Sequence, residues 1–304
     1  MKKVLLTGAN GFIGRQAIPF LAILGYEVHT ICYPDNSDLN EDKNIFLHRC
    51  NLLNSEEQKQ LLIEVKPTHL LHFAWYAVPG KYWTSIENLR WVQASINLLI
   101  DFIENGGTRA VFAGSCAEYD WNYGYCSEGI TPTRPQTLYG TCKNSFQEIV
   151  SQFSKQTGVS SAWGRIFFLY GPYEAKIRLI PSVIISLLQN QPARCTHGNQ
   201  IRDFLHVEDV ASAFVSLLES NIEGPINIAS GQPIALKTVV KQIATYLKQL
   251  DLLELGSIPV PNNEPSLLVA NVERLTKEVG WTPHYTLNEG LIQTIEWWRN
   301  RPYA

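Results

Sequence analysis

The sequence predicts an α/β protein: a doubly wound parallel sheet with a smaller region at its carboxyl-terminal end. Short apolar runs of strand length alternate with longer runs of helical spacing, the pattern of a parallel sheet covered on both faces. A glycine-spaced turn, residues 8–14, lies between the first strand and the first helix. After about residue 172 the chain changes to helices separated by turns containing proline and glycine.

Residues 2–9, KKVLLTGA, read as a short buried strand bounded by charge and glycine. Residues 12–25, FIGRQAIPFLAILG, have helical spacing and stop at Gly25, a helix terminator. EVHTICY is the second strand, EEQKQLLIEVKP a helix ending at Pro67, and THLLHFA the third strand. RAVFAGSCA and SSAWGRIFFLYG are later strands. The helix SIENLRWVQASINLLIDFIENGG has two apolar stripes: Ile86, Leu89, Val92, Ile96, Leu99 and Ile103, then Trp91, Ala94, Leu98 and Phe102. Such a helix needs partners on two sides. It is either deeply buried or shared between the sheet and a second subunit, with the helix at 139–157 (Cys142, Phe146, Ile149, Val150, Phe153) beside it. LIPSVIISLLQN, VEDVASAFVSLLES, LKTVVKQIATYLKQL and the closing HYTLNEGLIQTIEWWRNRP supply the helices of the last part. The expected division is 1–171 and 172–304, with some crossing between them, and the second part lies over the sheet's carboxyl edge, where open α/β sheets bind ligands.

Composition narrows the partners. The 304 residues are 45% hydrophobic and 17% charged, and the net charge of −3 offers no field for nucleic acid or an anionic membrane. The six cysteines, Cys32, Cys50, Cys116, Cys126, Cys142 and Cys195, form no CxxC pair and no zinc-spaced cluster, so free thiols in a reducing cytoplasm and no metal are expected. MKKVLL imitates a secretory signal, but Gly8, Asn10, Gly11 and Arg15 break the apolar run.

Gly8, Gly11 and Gly14 give G-x-x-G-x-x-G between strand and helix. A turn this sharp needs a residue tolerant of positive φ, and a side chain would keep backbone from a pyrophosphate. The helix amino end then offers free N–H groups and partial positive charge to the phosphates. The acidic residue that would hold the adenosine ribose after the second strand is replaced by Cys32 or Tyr33, with Asp35 and Ser37 close by and no arginine for a 2′-phosphate. NAD and NADP both stay open. Asn51 stands where an adenine amino group could be bonded.

Tyr139 and Lys143 are four apart, on one face of a helix. An ammonium beside a phenol lowers its pKa, and a phenol so tuned exchanges a proton with a carbonyl or an alcohol. Ser115, at the end of RAVFAGS, is placed to bond the same oxygen.

In TGANGFIG, LHFAW, GSCAEY, PTRPQTLYGTCK, GRIFFLYGP, RDFLHVEDV, NIASG and EVGWTPHYTLNEGL, in this order, the chain resembles the extended short-chain dehydrogenase/reductases of the nucleotide-sugar epimerase/dehydratase/reductase group. The resemblance implies a Rossmann fold with a carboxyl-terminal sugar-nucleotide region, Tyr139 as acid/base with Ser115 and Lys143 as helpers, and a homodimer through two helices per subunit. It implies NAD or NADP on Gly8, Asn10, Gly11, Phe12, Ile13, Gly14, Asn51, Leu52, Phe73, Ala74, Tyr139 and Lys143. Arg202 matches the position that clamps the sugar nucleotide's diphosphate, which suits a guanidinium fork; the plainer reading is a salt bridge to Asp203 or Glu208. Trp75, Tyr76, Lys81, Cys116, Phe168 and Ile180 complete the expected substrate wall, the aromatics coming from FAWYAVPGKYWTS, residues 73–85.

Departures narrow the chemistry. The family's dehydratases place an Asp–Glu pair directly after the serine or threonine, where this chain has Cys116 and Ala117. Its bifunctional epimerase–reductases use a cysteine and a histidine where this chain has Ala117 and Tyr173, and its 4-epimerases an asparagine where this chain has Phe168. The leading expectation is an NAD(P)-dependent 4-ketoreductase of a 4-keto-6-deoxyhexose on a nucleoside diphosphate. The alternatives are a 4-epimerase with retained cofactor and a non-catalytic binder of the same fold.

Overall fold

The computed structural model describes residues 2–32, 43–261 and 264–301. In chain order the strands are β1 (Lys3–Thr7), β2 (Glu27–Cys32), β3 (Ile45–Arg49), β4 (His69–His72), β5 (Arg109–Ser115), β6 (Tyr125–Cys126), β7 (Ser160–Ile166), β8 (Phe168–Tyr170), β9 (Ala193–Cys195), β10 (Ile201–His206), β11 (Gly224–Ile228), β12 (Pro233–Ala235), β13 (Leu253–Leu255) and β14 (Leu267–Ala270). The α-helices are α1 (Gly14–Ile23), α2 (Ser55–Val65), α3 (Glu87–Glu104), α4 (Leu138–Thr157), α5 (Leu179–Leu188), α6 (Val207–Glu219), α7 (Leu236–Tyr246) and α8 (Leu287–Arg299). None among the described residues is long and apolar enough to cross a membrane.

The main sheet has the order β11-β7-β5-β4-β1-β2-β3, every neighbouring pair parallel. Alternation along each strand feeds two cores. Val4 and Leu6 of β1 and Val111 of β5 join Ala17 and Leu21 of α1 and Val210 and Phe214 of α6. Leu5, Ala110 and Phe112 point the other way, onto Leu61, Leu98, Phe102, Phe146 and Val150 of α2, α3 and α4. Both faces are therefore dry, which explains why the strands read as continuous apolar runs.

Three details differ from the sequence reading. SSAWGRIFFLYG is two strands: β7 stays in the main sheet, whereas β8 pairs with β10 in a second sheet, β12-β10-β14-β6. Both are covered, so one apolar run hides the change of sheet. The helix VEDVASAFVSLLES crosses back, as α6, to pack beside α1, while α5, α7 and α8 share a separate core. On α3, Ala94, Leu98 and Phe102 of the second stripe and Leu99 are buried and Trp91 partly so, but Ile86, just before the helix, and Leu89 are exposed at 64% and 51%, so in the single chain one apolar edge faces outward.

The chain lays β1, β2 and β3 outward to one side, then crosses to β4, β5 and β7 on the other. The order reverses between β1 and β4, and a crevice opens beyond their carboxyl ends. The glycine turn follows β1 there. A Cβ on Gly14 would lie 2.1 Å from the Gly8 carbonyl oxygen, a backbone atom that cannot swing aside, and Gly8 itself has φ +68°. Gly14→Ala is accordingly expected to cost about 3 kcal/mol, seen as a lower urea midpoint with an unchanged m-value; an unchanged midpoint would contradict the close approach.

Candidate active site

At the reversal point the fold encloses a cavity of about 1390 Å3. Pockets for one drug-sized ligand run to roughly 1,000 Å3, so this one has room for two ligands end to end. Gly8, Asn10, Gly11, Phe12, Ile13 and Gly14 line one end, with Asn51 and Leu52 after β3 and Phe73 and Ala74 after β4. No side chain caps the amino end of α1; the Arg15 and Gln16 N–H groups close onto the Gly11 and Ile13 carbonyls at 3.3 and 3.0 Å, so it is the turn before them that faces a ligand. The Asn51 side-chain Oδ1 accepts from the Leu53 N–H at 3.1 Å, which holds the turn after β3. Tyr33, Asp35 and Ser37 lie outside the described residues.

Ser115 and Tyr139, 24 positions apart, both reach this cavity. Ser115 ends β5; its N–H donates to Glu118 at 2.8 Å and its Oγ accepts from the Ala117 N–H at 3.2 Å. Glu118 is fully buried and also accepts from Arg165 at 2.7 Å and from the Trp163 indole at 3.0 Å. Gly140 permits the meeting of helix and turn: a Cβ there would fall 2.3 Å from the Ala117 carbonyl oxygen. Tyr139 donates its backbone N–H to the Trp83 carbonyl at 3.1 Å, and its ring meets Tyr82 and Trp83 edge-on at 4.8 and 5.8 Å.

The electrostatics of Tyr139 correct the sequence reading. Burial pushes its phenol above the usual range, Tyr82 adds to that, and the Ser115 hydrogen bond offsets part of it. Lys143 does not lower it. Its Nζ donates to the Ala113 carbonyl at 2.8 Å and lies 3.7 Å from the centre of the Trp75 ring, so it sits behind the wall and not on it. Burial lowers the Lys143 ammonium to about 7. The i, i+4 spacing is met, but the indole and the carbonyl take the charge.

Trp75, Cys116, Phe168, Ile180 and Arg202 line the cavity as expected. Burial raises the Cys116 thiol, which stays protonated. Tyr76 and Lys81 do not line it; the loop after β4 turns at Gly80, leaves Lys81 exposed and sends Tyr82 and Trp83 inward instead. Arg202 is 1% exposed and pairs with Glu264 at 2.6 Å, not with Asp203 or Glu208; its Nε has no partner. Asp203 accepts from Ser230, Gly231 and Ala270, and Glu208 from Tyr285 and Gln293. The sequence reading missed Glu174, Arg178 and Glu264 on the wall. The available signal was charge interrupting GPYEAKIRLIP at the mouth of an apolar helix.

Fold and cavity together define a dinucleotide-dependent α/β enzyme whose ligands meet at the switch point of the sheet. The chain belongs to the NAD dependent epimerase/dehydratase family, whose model matches residues 4–229, and NAD is the cofactor of that family. It is 27% identical over 308 residues to CDP-abequose synthase of Salmonella typhimurium (96% of this chain, 97% of that one). It is 25% identical over 319 residues to UDP-glucuronic acid decarboxylase 1 of Xenopus tropicalis (98% and 72%). UDP-N-acetylglucosamine 4-epimerase from Methanobrevibacter ruminantium, solved with UDP-N-acetylmuramic acid, superposes with a TM-score of 0.86 at 25% identity, covering 97% of each chain. The residues fit NAD: an uncapped helix start, a turn no Cβ could enter at Gly14, and room for a second ligand.

Lys143 gives a pH prediction. Its value falls from 10.5 to about 7 on folding, so between these the unfolded chain holds more protons and stability rises with pH. Measured against Lys143→Met, which has no such group, the wild type should gain on the order of 3 kcal/mol between about pH 7 and 10 by urea denaturation. A pH-independent difference would place Lys143 in water.

Proposed function

We propose that this chain interconverts a carbonyl and an alcohol on the sugar of a nucleoside diphosphate, and specifically that it reduces a 4-keto-6-deoxyhexose. The observation that carries the reading is the convergence of Ser115 and Tyr139 in one cavity beside the glycine turn, with Cys116 and Ala117 where a dehydrating carboxyl pair would stand. When bound, the nicotinamide gives or takes hydride at the sugar carbon. Tyr139, raised by burial, is the proton donor to the sugar oxygen. Ser115 donates a hydrogen bond to the same oxygen, its position fixed by Ala117 and Glu118. Arg202 takes the diphosphate, with Glu264 as its partner until then. Lys143 braces Trp75, and Phe168 and Ile180 wall the sugar's apolar face.

A 4-epimerase is the second reading, favoured by the resemblance to UDP-N-acetylglucosamine 4-epimerase. The two differ in what they consume. A reductase oxidises added NADH or NADPH in proportion to 4-keto-6-deoxy sugar nucleotide supplied, whereas an epimerase interconverts sugars with none added. In either assay Tyr139→Phe is expected to lower turnover by about 10³-fold with nucleotide binding retained; unchanged turnover would remove Tyr139 from the chemistry.

The homodimer belongs to the same proposal. Leu89 and Ile100 of α3 and Ile149 of α4 are exposed at 51%, 38% and 40%, an apolar face for a second copy. Sedimentation should show a dimer that Leu89→Glu converts to monomer; a wild-type monomer would end this part of the reading.

A further inference from the structure

We propose that Glu174 is a ligand-binding residue of the cavity, its Oε2 atom taking a hydrogen-bond donor, a hydroxyl or an amide N–H, from the bound ligand. The inference rests on the reading that this cavity holds NAD and a nucleoside-diphosphate sugar, both of which carry such donors.

Two fully buried carboxylates elsewhere in the described residues, Glu118 and Asp203, are saturated. Glu118 receives Ser115, Trp163 and Arg165. Asp203 receives the Ser230 N–H and hydroxyl on one oxygen, and the Gly231 and Ala270 N–H groups on the other. Both tie strands together, and neither has an oxygen to spare. Glu174 differs: it is 9% exposed, it lines the cavity, and its Oε2 is buried with no hydrogen-bond partner. An unpaired buried polar atom of this kind costs on the order of 1–3 kcal/mol and calls for a reason other than stability.

The backbone is arranged to turn this residue inward. After β8 the chain passes through Gly171 at φ +145° and then Tyr173 at φ +72°, a left-handed conformation that a tyrosine rarely adopts. Tyr173 is held there from several sides: Arg15 of α1 lies 3.8 Å from its ring centre, Arg301 4.6 Å, and the Trp297 ring 4.7 Å. The Glu174 N–H closes the turn onto the Gly171 carbonyl at 3.3 Å. Strain of this sort persists where the surroundings over-determine it.

The charged group that acts on Glu174 is Arg178, on the same wall, together with the Gly171 N–H. The Arg178 charge also acts on the Tyr82 phenol, and the Tyr82 ring packs on Tyr139. Glu174 thus stands at the end of a polar row that leads to the proposed proton donor. Burial lifts its carboxyl to about 8, despite Arg178 and Gly171. It carries a proton at pH 7, and a donor from the ligand favours the ionised form. Binding should therefore release part of a proton.

Calorimetry at pH 7, in two buffers of unlike ionisation heat, tests this with NAD alone and with UDP-, CDP-, dTDP- and GDP-glucose on NAD-loaded protein. One of the two ligand kinds should release a fraction of a proton in the wild type. Glu174→Gln should abolish that release and weaken the same ligand on the order of tenfold, which identifies the donor as cofactor or sugar. The ligand-free melting temperature of Glu174→Gln should equal or exceed the wild type's, because Oε2 has no protein partner to lose and the amide oxygen still accepts from the Gly171 N–H, a bond that Glu174→Leu gives up. Equal affinity and proton release in wild type and Glu174→Gln would overturn the proposal. So would a melting temperature lowered in Glu174→Gln with binding intact, the mark of a structural carboxyl. A wild type that binds neither NAD nor any sugar nucleotide would instead bring down the reading of the site, and this inference with it.

Discussion

The geometry of the site depends on one buried carboxylate. Glu118, in the turn that follows β5, has no exposure to solvent, and it gathers the Ser115 N–H, the Trp163 indole and the Arg165 guanidinium, three groups from the neighbouring strands β5 and β7. Arg165 is held protonated by it and stacks over Tyr119, which extends the cluster toward the second sheet. A paired charge this deep is poor evidence of stability on its own, since an apolar replacement can do as well. What it supplies is position. Removing either partner leaves an uncompensated buried charge beneath Ser115, so the serine's place at the strand end and the ion pair stand or fall together.

The helix that brings Tyr139 has a matching requirement. It must approach the turn at Cys116–Glu118 closely enough for a phenol and a hydroxyl to share one oxygen, and Gly140 is the residue that allows it. The side chains then contribute unequally. Burial keeps Tyr139 and Cys116 protonated, while Lys143, drawn to the Ala113 carbonyl and the Trp75 face, is the group whose proton is loosely held. A low-dielectric enclosure thus penalises every charged form, and the differences among the groups come from which partner each one finds.

The local parts of this design were legible in the sequence. Strand–helix alternation, the glycine turn and the Ser115–Tyr139 pair each depend on short-range period or on a fixed order along the chain, and the structure places them as expected. Features set by distant chain were not. The break after Ile166 needs β10 as a partner. Lys143 is diverted by a carbonyl 30 positions away, and Arg202 finds Glu264, 62 positions on, where its neighbours in sequence were the obvious candidates. Tyr76 and Lys81 lost their expected places to Tyr82 and Trp83 because the loop turn at Gly80 sets which residues face inward. Glu174 showed in the sequence only as a charge interrupting GPYEAKIRLIP; that its carboxyl is unpartnered is visible only when everything around it has been accounted for.

With no carboxyls at Cys116 and Ala117, the proposed proton donor is Tyr139, at the point where the glycine turn and the proposed sugar wall converge, and that convergence is the central claim. A crystal structure of the protein with NAD and a nucleoside-diphosphate sugar measures it directly. The account predicts the Tyr139 hydroxyl in hydrogen-bond reach of a sugar oxygen whose carbon lies about 3–3.5 Å from the nicotinamide ring. A phenol turned away from the sugar, or a sugar seated beyond contact of that ring, would contradict it and leave the fold without this chemistry.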